Sequence, residues 1–133
     1  MEYRELRNGN VQIIELAGKM MGDPSNAALV KRVDALLAAG VKLVIMDVSE
    51  VQWMNSQAIS HLIACLTKLR RAGGDLRLAG VAGKVDYYLR LTKLNTVIRT
   101  FASQREALES FVKEPPDSSL PRSLAERRME VAA

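Results

Sequence analysis

The chain has 133 residues, 48% of them hydrophobic and 26% charged, which suits one globular domain with a real core and argues against wholesale disorder. Nineteen Lys and Arg against fifteen Asp and Glu leave a net charge of +4, and with only 5% aromatic residues this basicity lacks the clustering and stacking rings of a nucleic-acid surface. One cysteine excludes an internal disulfide, no apolar run reaches the ~18 residues of a spanning helix, and MEYRELRNGN is too polar for a signal peptide, so a cytoplasmic protein without membrane insertion is expected.

Tyr3 to Gly18 reads as two strand-like runs flanking Asn8 and Gly9, a pair suited to the positive φ angles of a tight hairpin turn. The second strand passes through Val11, Ile13, Ile14 and Leu16. Asp23 before Pro24 supplies an N-cap followed by a first helical residue whose missing N–H costs nothing. Leu29, Val30, Val33, Leu36 and Leu37 then recur at helical spacing until Gly40, which predicts a helix over 24–39. Leu43 to Met46 form a continuous apolar run, expected as a central strand buried on both faces and ending at Asp47. VSEVQWMN reads as a connector to a second helix from near Ser56, with Ile59, Leu62, Ile63, Leu66 and Leu69 on one face. Lys68, Arg70 and Arg71 in its last turn suit the negative end of the helix dipole, and Gly73 with Gly74 stop it.

Leu76, Leu78 and Val81 alternate as a further strand, 84–94 reads as a shorter helix, and Val97 to Phe101 as a short strand. Ser103 and Glu106 form a capping box that opens a helix carrying Ala107, Leu108, Phe111 and Val112. The order ββαβαβαβα implies crossover helices, hence a single α/β domain whose sheet is largely parallel after its first hairpin. Pro115, Pro116 and Pro121 place the domain boundary after residue 113, leaving 114–133 as a tail in which Ser123 and Glu126 suit a short final helix.

Catalytic chemistry is hard to assemble from these residues. His61 is the only histidine and stands one turn from Cys65, and two ligands do not make a zinc site; a buried thiol and a packing imidazole account for them. No Gly-rich phosphate loop of the GxxxxGK or GxGxxG spacing occurs. Asp47 and Glu50 lie at the carboxyl end of the central strand, where α/β sheets place sites, although capping or solvation is the commoner role for such acids. Lys68, Arg70, Arg71 and Arg77 would make a basic patch, but dipole compensation explains them without a ligand. No catalytic residue, metal or cofactor is therefore expected. One constellation rises above this background: a buried strand, Asp47, an apolar connector, then Asn55 and Ser56 opening an amphipathic helix. A serine there presents its hydroxyl beside free N–H groups at the positive end of the dipole, a place that welcomes a phosphate, while a plain helix cap is the simpler role for either residue.

The stretch VIMDVSEVQWMNSQAISHLIACLTKLRRAGGDLRLAGV resembles the STAS domain of anti-sigma factor antagonists, with a weaker match over roughly residues 3–112. The resemblance implies a small mixed sheet with helices packed largely on one side. It also implies a phosphorylation switch, in which the unmodified antagonist binds an anti-sigma factor that is a serine kinase, and phosphorylation of the motif's first serine releases it. Carried over by position, the acceptor is Ser56, with Asn55 at the motif's acidic position, Gln57 at its second hydroxyl, Ala58 at its glycine and Ile59 at its leucine. Asp47 matches the acid at the strand end, Gly18 the glycine ending the second strand, and the acid of the loop beyond it falls on Asp23. A partner surface is expected around Asn55, Ser56, Gln57 and Ala58 with Met54 and Trp53, though the alternation of Trp53 with Val51 favours the core for that ring. The alternatives are a constitutive STAS scaffold, such as an accessory subunit of a membrane transporter, or a small anion- or nucleotide-binding domain. The opening edge strand offers a route to a homodimer.

Overall fold

The computed structural model describes residues 2–20 and 24–116. Asp23, and Ser123 with Glu126, lie outside the described residues, so the two caps expected there are not described.

The elements run β1 (Glu2–Asn8), β2 (Val11–Met20), α1 (Pro24–Ala38), β3 (Leu43–Met54), α2 (Ser56–Arg71), β4 (Asp75–Ala79), α3 (Gly83–Leu91), a 3-10 turn (Leu94–Thr96), β5 (Arg99–Thr100) and α4 (Gln104–Lys113). The strands form one sheet in the order β1-β2-β3-β4-β5, antiparallel across the opening hairpin and parallel thereafter. β3 is central, as its apolar run implies, and Val44, Ile45 and Met46 are fully buried on its two faces. On one face α1, α2 and α3 cover the main core, built from residues such as Ile14, Leu29, Val33, Met46, Leu62, Leu69 and Leu89. On the other, α4 alone covers a smaller cluster of Val11, Ile13, Ile45, Ala79, Ala107 and Phe111. The helices thus lie largely on one side of a mixed sheet.

Several boundaries differ from the sequence reading. The hairpin loop is Gly9 and Asn10, since Asn8 pairs with Val11, and Gly9 carries the positive φ of 61° at the first loop position, where glycine has no steric cost. Gly18 does not end β2. The strand continues to Met20 through two register irregularities against β3. β3 runs on for 12 residues through the expected connector, because Ala17 to Met20 supply backbone partners for Glu50 to Met54. α3 stops at Leu91, before Lys93, whose φ of 60° is left-handed, and the expected strand 97–101 shrinks to two residues. Ile63 and Val112 face solvent, their places in the core taken by Cys65 and Ser110.

A buried cation ties α4 to the sheet. Arg77, only 3% exposed, bonds Asp75 at 3.0 Å, the Ser110 hydroxyl at 2.8 Å and the Glu114 carbonyl at 2.7 Å, and its guanidinium stacks 4.1 Å from the centre of the Phe111 ring. Burial lowers its pKa, with Asp75 opposing the shift. At the N-terminus of α4, Ser103 accepts from the Glu106 N–H and Glu106 reaches back to the Ala102 N–H, so the capping box forms one residue out of its ideal register.

Candidate functional site

The junction of β3 and α2 is fixed by backbone and cap together. The Asn55 N–H donates to the Met20 carbonyl at 2.9 Å, holding the end of β3 against β2. Asn55 itself is extended, and its Oδ1 accepts from the Ala58 N–H at 2.9 Å. It is therefore the N-cap, and Ser56 is the first residue of the helix proper. This separates the two roles that the sequence allowed either residue to play. The Ser56 side chain is exposed, and its hydroxyl makes no hydrogen bond among the described residues. One turn later Ser60 is engaged instead, donating to the Ser56 carbonyl at 3.1 Å. The N–H groups of Ser56 and Gln57 likewise carry no partner among the described residues, so the electropositive end of a 16-residue helix opens beside a free hydroxyl.

The residues expected to form a partner surface separate into two sets. Asn55, Ser56 and Gln57 lie at or near the surface. Met54 and Ala58 do not: they are 3% and 0% exposed and belong to the main core. Ala58 occupies the helix stripe with Leu62, Cys65 and Leu69 that faces the sheet, and Met54 pairs with buried Met20. A docking partner can reach neither side chain. Trp53 also departs from expectation, since it is half-buried and packs in neither hydrophobic cluster. With Lys19, Gln52 and Lys84 it lines an open hollow of about 450 Å³. The sequence reading missed both lysines, which stand 65 positions apart and meet only because β2 pairs with β3 through Trp53 while α3 begins alongside. Its one available signal was the alternation of Val51 with Trp53, which, had polar Ser49, Glu50 and Gln52 not given the stretch the look of a loop, would have put Lys19 beside Trp53.

The other candidates are structural. Asp47 is 9% exposed, accepting from the Ser49 N–H at 2.8 Å and from Gln104 Nε2 at 2.6 Å, while Glu50 is exposed and lines the same open hollow beside β1 without a hydrogen bond to Asp47. Gln104 also reaches Glu15 at 2.6 Å, so these acids link β2, β3 and α4 rather than forming an acid–base pair. The basic patch does not gather: Lys68 pairs with Asp34, Arg70 with Asp75 and the Val97 carbonyl, Arg77 is buried, and Arg71 alone stays exposed with no ion pair among the described residues. Cys65 is sealed in the core, where burial pushes its thiol up to about 12, far from thiolate chemistry at neutral pH. His61, on the same helix, is half-buried, and its Nδ1 has no partner among the described residues. Among the described residues no group of three metal-binding side chains gathers, and no helix is long and apolar enough to cross a membrane.

Comparison with known proteins agrees with this geometry. A family model described as the STAS domain matches residues 6–107. Among solved structures, an anti-sigma factor antagonist from Mycobacterium paratuberculosis superposes with a TM-score of 0.70 at 20% identity, covering 82% of this chain and 92% of that one. The anti-sigma factor antagonist SpoIIAA in its unphosphorylated form matches with a TM-score of 0.66 at 11% identity over 85% and 99% of the two chains. The phosphorylated form, from Bacillus, matches with 0.64 at 13% over 81% and 97%. A sulfate transporter family protein from Wolinella succinogenes matches with 0.63 at 18% identity over 78% and 86%. No curated protein matches the chain. At these identities the likeness to the solved structures is one of fold.

Proposed function

The chain belongs to the STAS domain family, and on that basis we propose that it is a non-catalytic regulatory module of the anti-sigma factor antagonist type, switched by phosphorylation of Ser56. Its partner in this reading is an anti-sigma factor with serine kinase activity, which binds the face at Asn55, Ser56 and Gln57 in the cytoplasm and thereby controls transcription. One observation carries the reading: the Ser56 hydroxyl is exposed and, among the described residues, unbonded at the first position of α2, while the neighbouring Asn55 does the capping. The substitutions at the motif fit this picture. Asn55 keeps the cap without the charge of an acid, and the Ala58 methyl points into the core, where it cannot hold a partner off.

The switch is electrostatic. A phosphate on Ser56 adds about −1.5 to −2 charges, and the helix end receives it with a gain of about 0.3–1 kcal/mol, so the fold survives modification. Docking does not. An interface that buries the hydroxyl must bury or expel the dianion instead, a cost of several kcal/mol that weakens binding ~100-fold or more.

The test is incubation with a cognate kinase-containing extract and ATP, phosphate being mapped by mass spectrometry beside Ser56→Ala. Phosphate on Ser56 with loss of partner binding supports the switch. Binding with no modification would replace it by a constitutive scaffold, such as the STAS part of a transporter assembly, and saturable nucleotide binding by the isolated chain would replace it by an anion-binding domain. β1, the open edge of the sheet with Tyr3 and Leu6 exposed, is where a homodimer of the module would pair.

A further inference from the structure

We propose that the hollow around Trp53 is the seat of an acidic segment of a partner protein, and that the outer face of α3 receives the apolar residues next to it. The proposal rests on the reading that this chain works by docking a protein, but it does not involve Ser56. The Lys19 and Lys84 side chains are both exposed, and neither makes an ion pair or hydrogen bond among the described residues. They flank a half-buried indole together with Gln52, and no carboxylate lines the hollow among the described residues. Two uncompensated ammonium groups beside a ring and a side-chain amide match a carboxylate-bearing segment: the cations take the charge, the amide donates, and the indole face covers the attached methylenes.

The surface continues along α3. Lys84, Tyr87 and Leu91 stand at i, i+3 and i+7 on one stripe of the helix, and Tyr87 and Leu91 are 61% and 64% exposed. Val85 and Leu89 face the core instead, and the Asp86–Arg90 ion pair occupies a third side. From Lys84 to Leu91 the stripe is about 10 Å long, the reach of a few extended residues or two helical turns. Its order of chemistry, cationic at the Trp53 end and apolar at the Leu91 end, assigns the occupant: a short segment with acids at one end and apolar residues at the other. Such a segment on an anti-sigma factor would hold the two proteins in register by contacts that phosphorylation of Ser56 does not touch.

Trp53 is the only tryptophan in the chain, so its emission reports on the hollow directly. The experiment titrates the full chain with synthetic peptides carrying a block of glutamates and a block of leucines in either order, and with the same peptides carrying glutamines in place of the glutamates. The expected result is a saturable change with a glutamate peptide, weakened about tenfold by Lys19→Ala combined with Lys84→Ala and reduced by added salt. Leu91→Ser should weaken it independently, and Ser56→Ala should leave it unchanged. Both lysine side chains are exposed and unbonded among the described residues, so the double variant keeps the fold. Equal binding of the matching glutamine peptide, no saturable change, or undiminished binding by the double variant overturns the proposal. So does an emission change that tracks protein concentration without peptide, which would assign the face to a second copy. Because no kinase or ATP enters the titration, its failure leaves the Ser56 switch standing, and failure of the switch leaves the titration unaffected.

Discussion

Arg77→Ala is the substitution that best tests the account of how α4 is held. It removes a guanidinium that spans Asp75, Ser110 and the Glu114 carbonyl and stacks on Phe111. Breaking a buried ion pair on one side usually costs about 3–5 kcal/mol, mostly through the charge left behind. Here the remaining groups are partly covered: Asp75 keeps Arg70 at 3.0 Å, and the Ser110 hydroxyl still donates to the Ala107 carbonyl at 2.6 Å. The loss should therefore sit at the low end, ~3 kcal/mol, including the space opened against Phe111. Arg77→Met fills that space and keeps a contact with the ring, so ~1–2 kcal/mol is expected. Urea unfolding at constant m-value measures both, and amide exchange locates the effect, with α4 opening before the helices on the opposite face. The reasoning is refuted if Arg77→Ala lies within ~1 kcal/mol of the parent, or if Arg77→Met falls as far as Arg77→Ala. The first result would mean that the guanidinium holds nothing, and the second that Arg70 does not cover Asp75.

Three further outcomes follow from the same geometry. Gly80→Ala should cost about 2–4 kcal/mol in thermal melts: φ is +71°, and a Cβ would stand 2.6 Å from both Asp47 Oδ1 and Ser49 Cβ. Gly83→Ala, with φ +57° and open space around it, should cost only the ~1–2 kcal/mol of backbone strain, and equal losses at the two sites would contradict the packing argument. Asn55→Ala should lose ~1 kcal/mol by removing the cap on Ala58, while Asn55→Asp keeps it; denaturation midpoints that do not separate the two would show that the cap is idle. Because burial holds the Cys65 thiol at about 12 against its ordinary 9.0, the unfolded chain releases a proton that the folded chain keeps. This thiol's contribution is complete below about pH 9 and is lost as pH rises toward 12, at up to about 1.4 kcal/mol per pH unit. The stability gap between parent and Cys65→Ala should narrow between about pH 8 and about pH 10.5, and a constant gap would sink the claim.

Wherever a local physical rule acted on a contiguous run, the sequence by itself determined the outcome. The central strand at Leu43–Met46, the helix opened by Asn55 and Ser56, the Ser103 cap and the parallel order after the hairpin all follow from periodicity, capping chemistry and connection length. The Ser56 position was legible for the same reason, since a cap followed by an amphipathic face announces where a helix begins.

The tertiary structure decided what depends on pairing between distant segments. Polar Ser49, Glu50 and Gln52 gave 48–54 the look of a loop, yet β2 supplied the backbone partners that make it strand. Asp47 and Arg77 looked like surface chemistry until Gln104, Ser110 and Phe111, far along the chain, enclosed them. Met54 and Ala58 looked available until the sheet fixed which side of each element faces inward. Hydrophobic pattern and caps are encoded within a turn or two of chain, whereas burial of a charge and exposure of a ring are properties of the neighbours that folding brings to them.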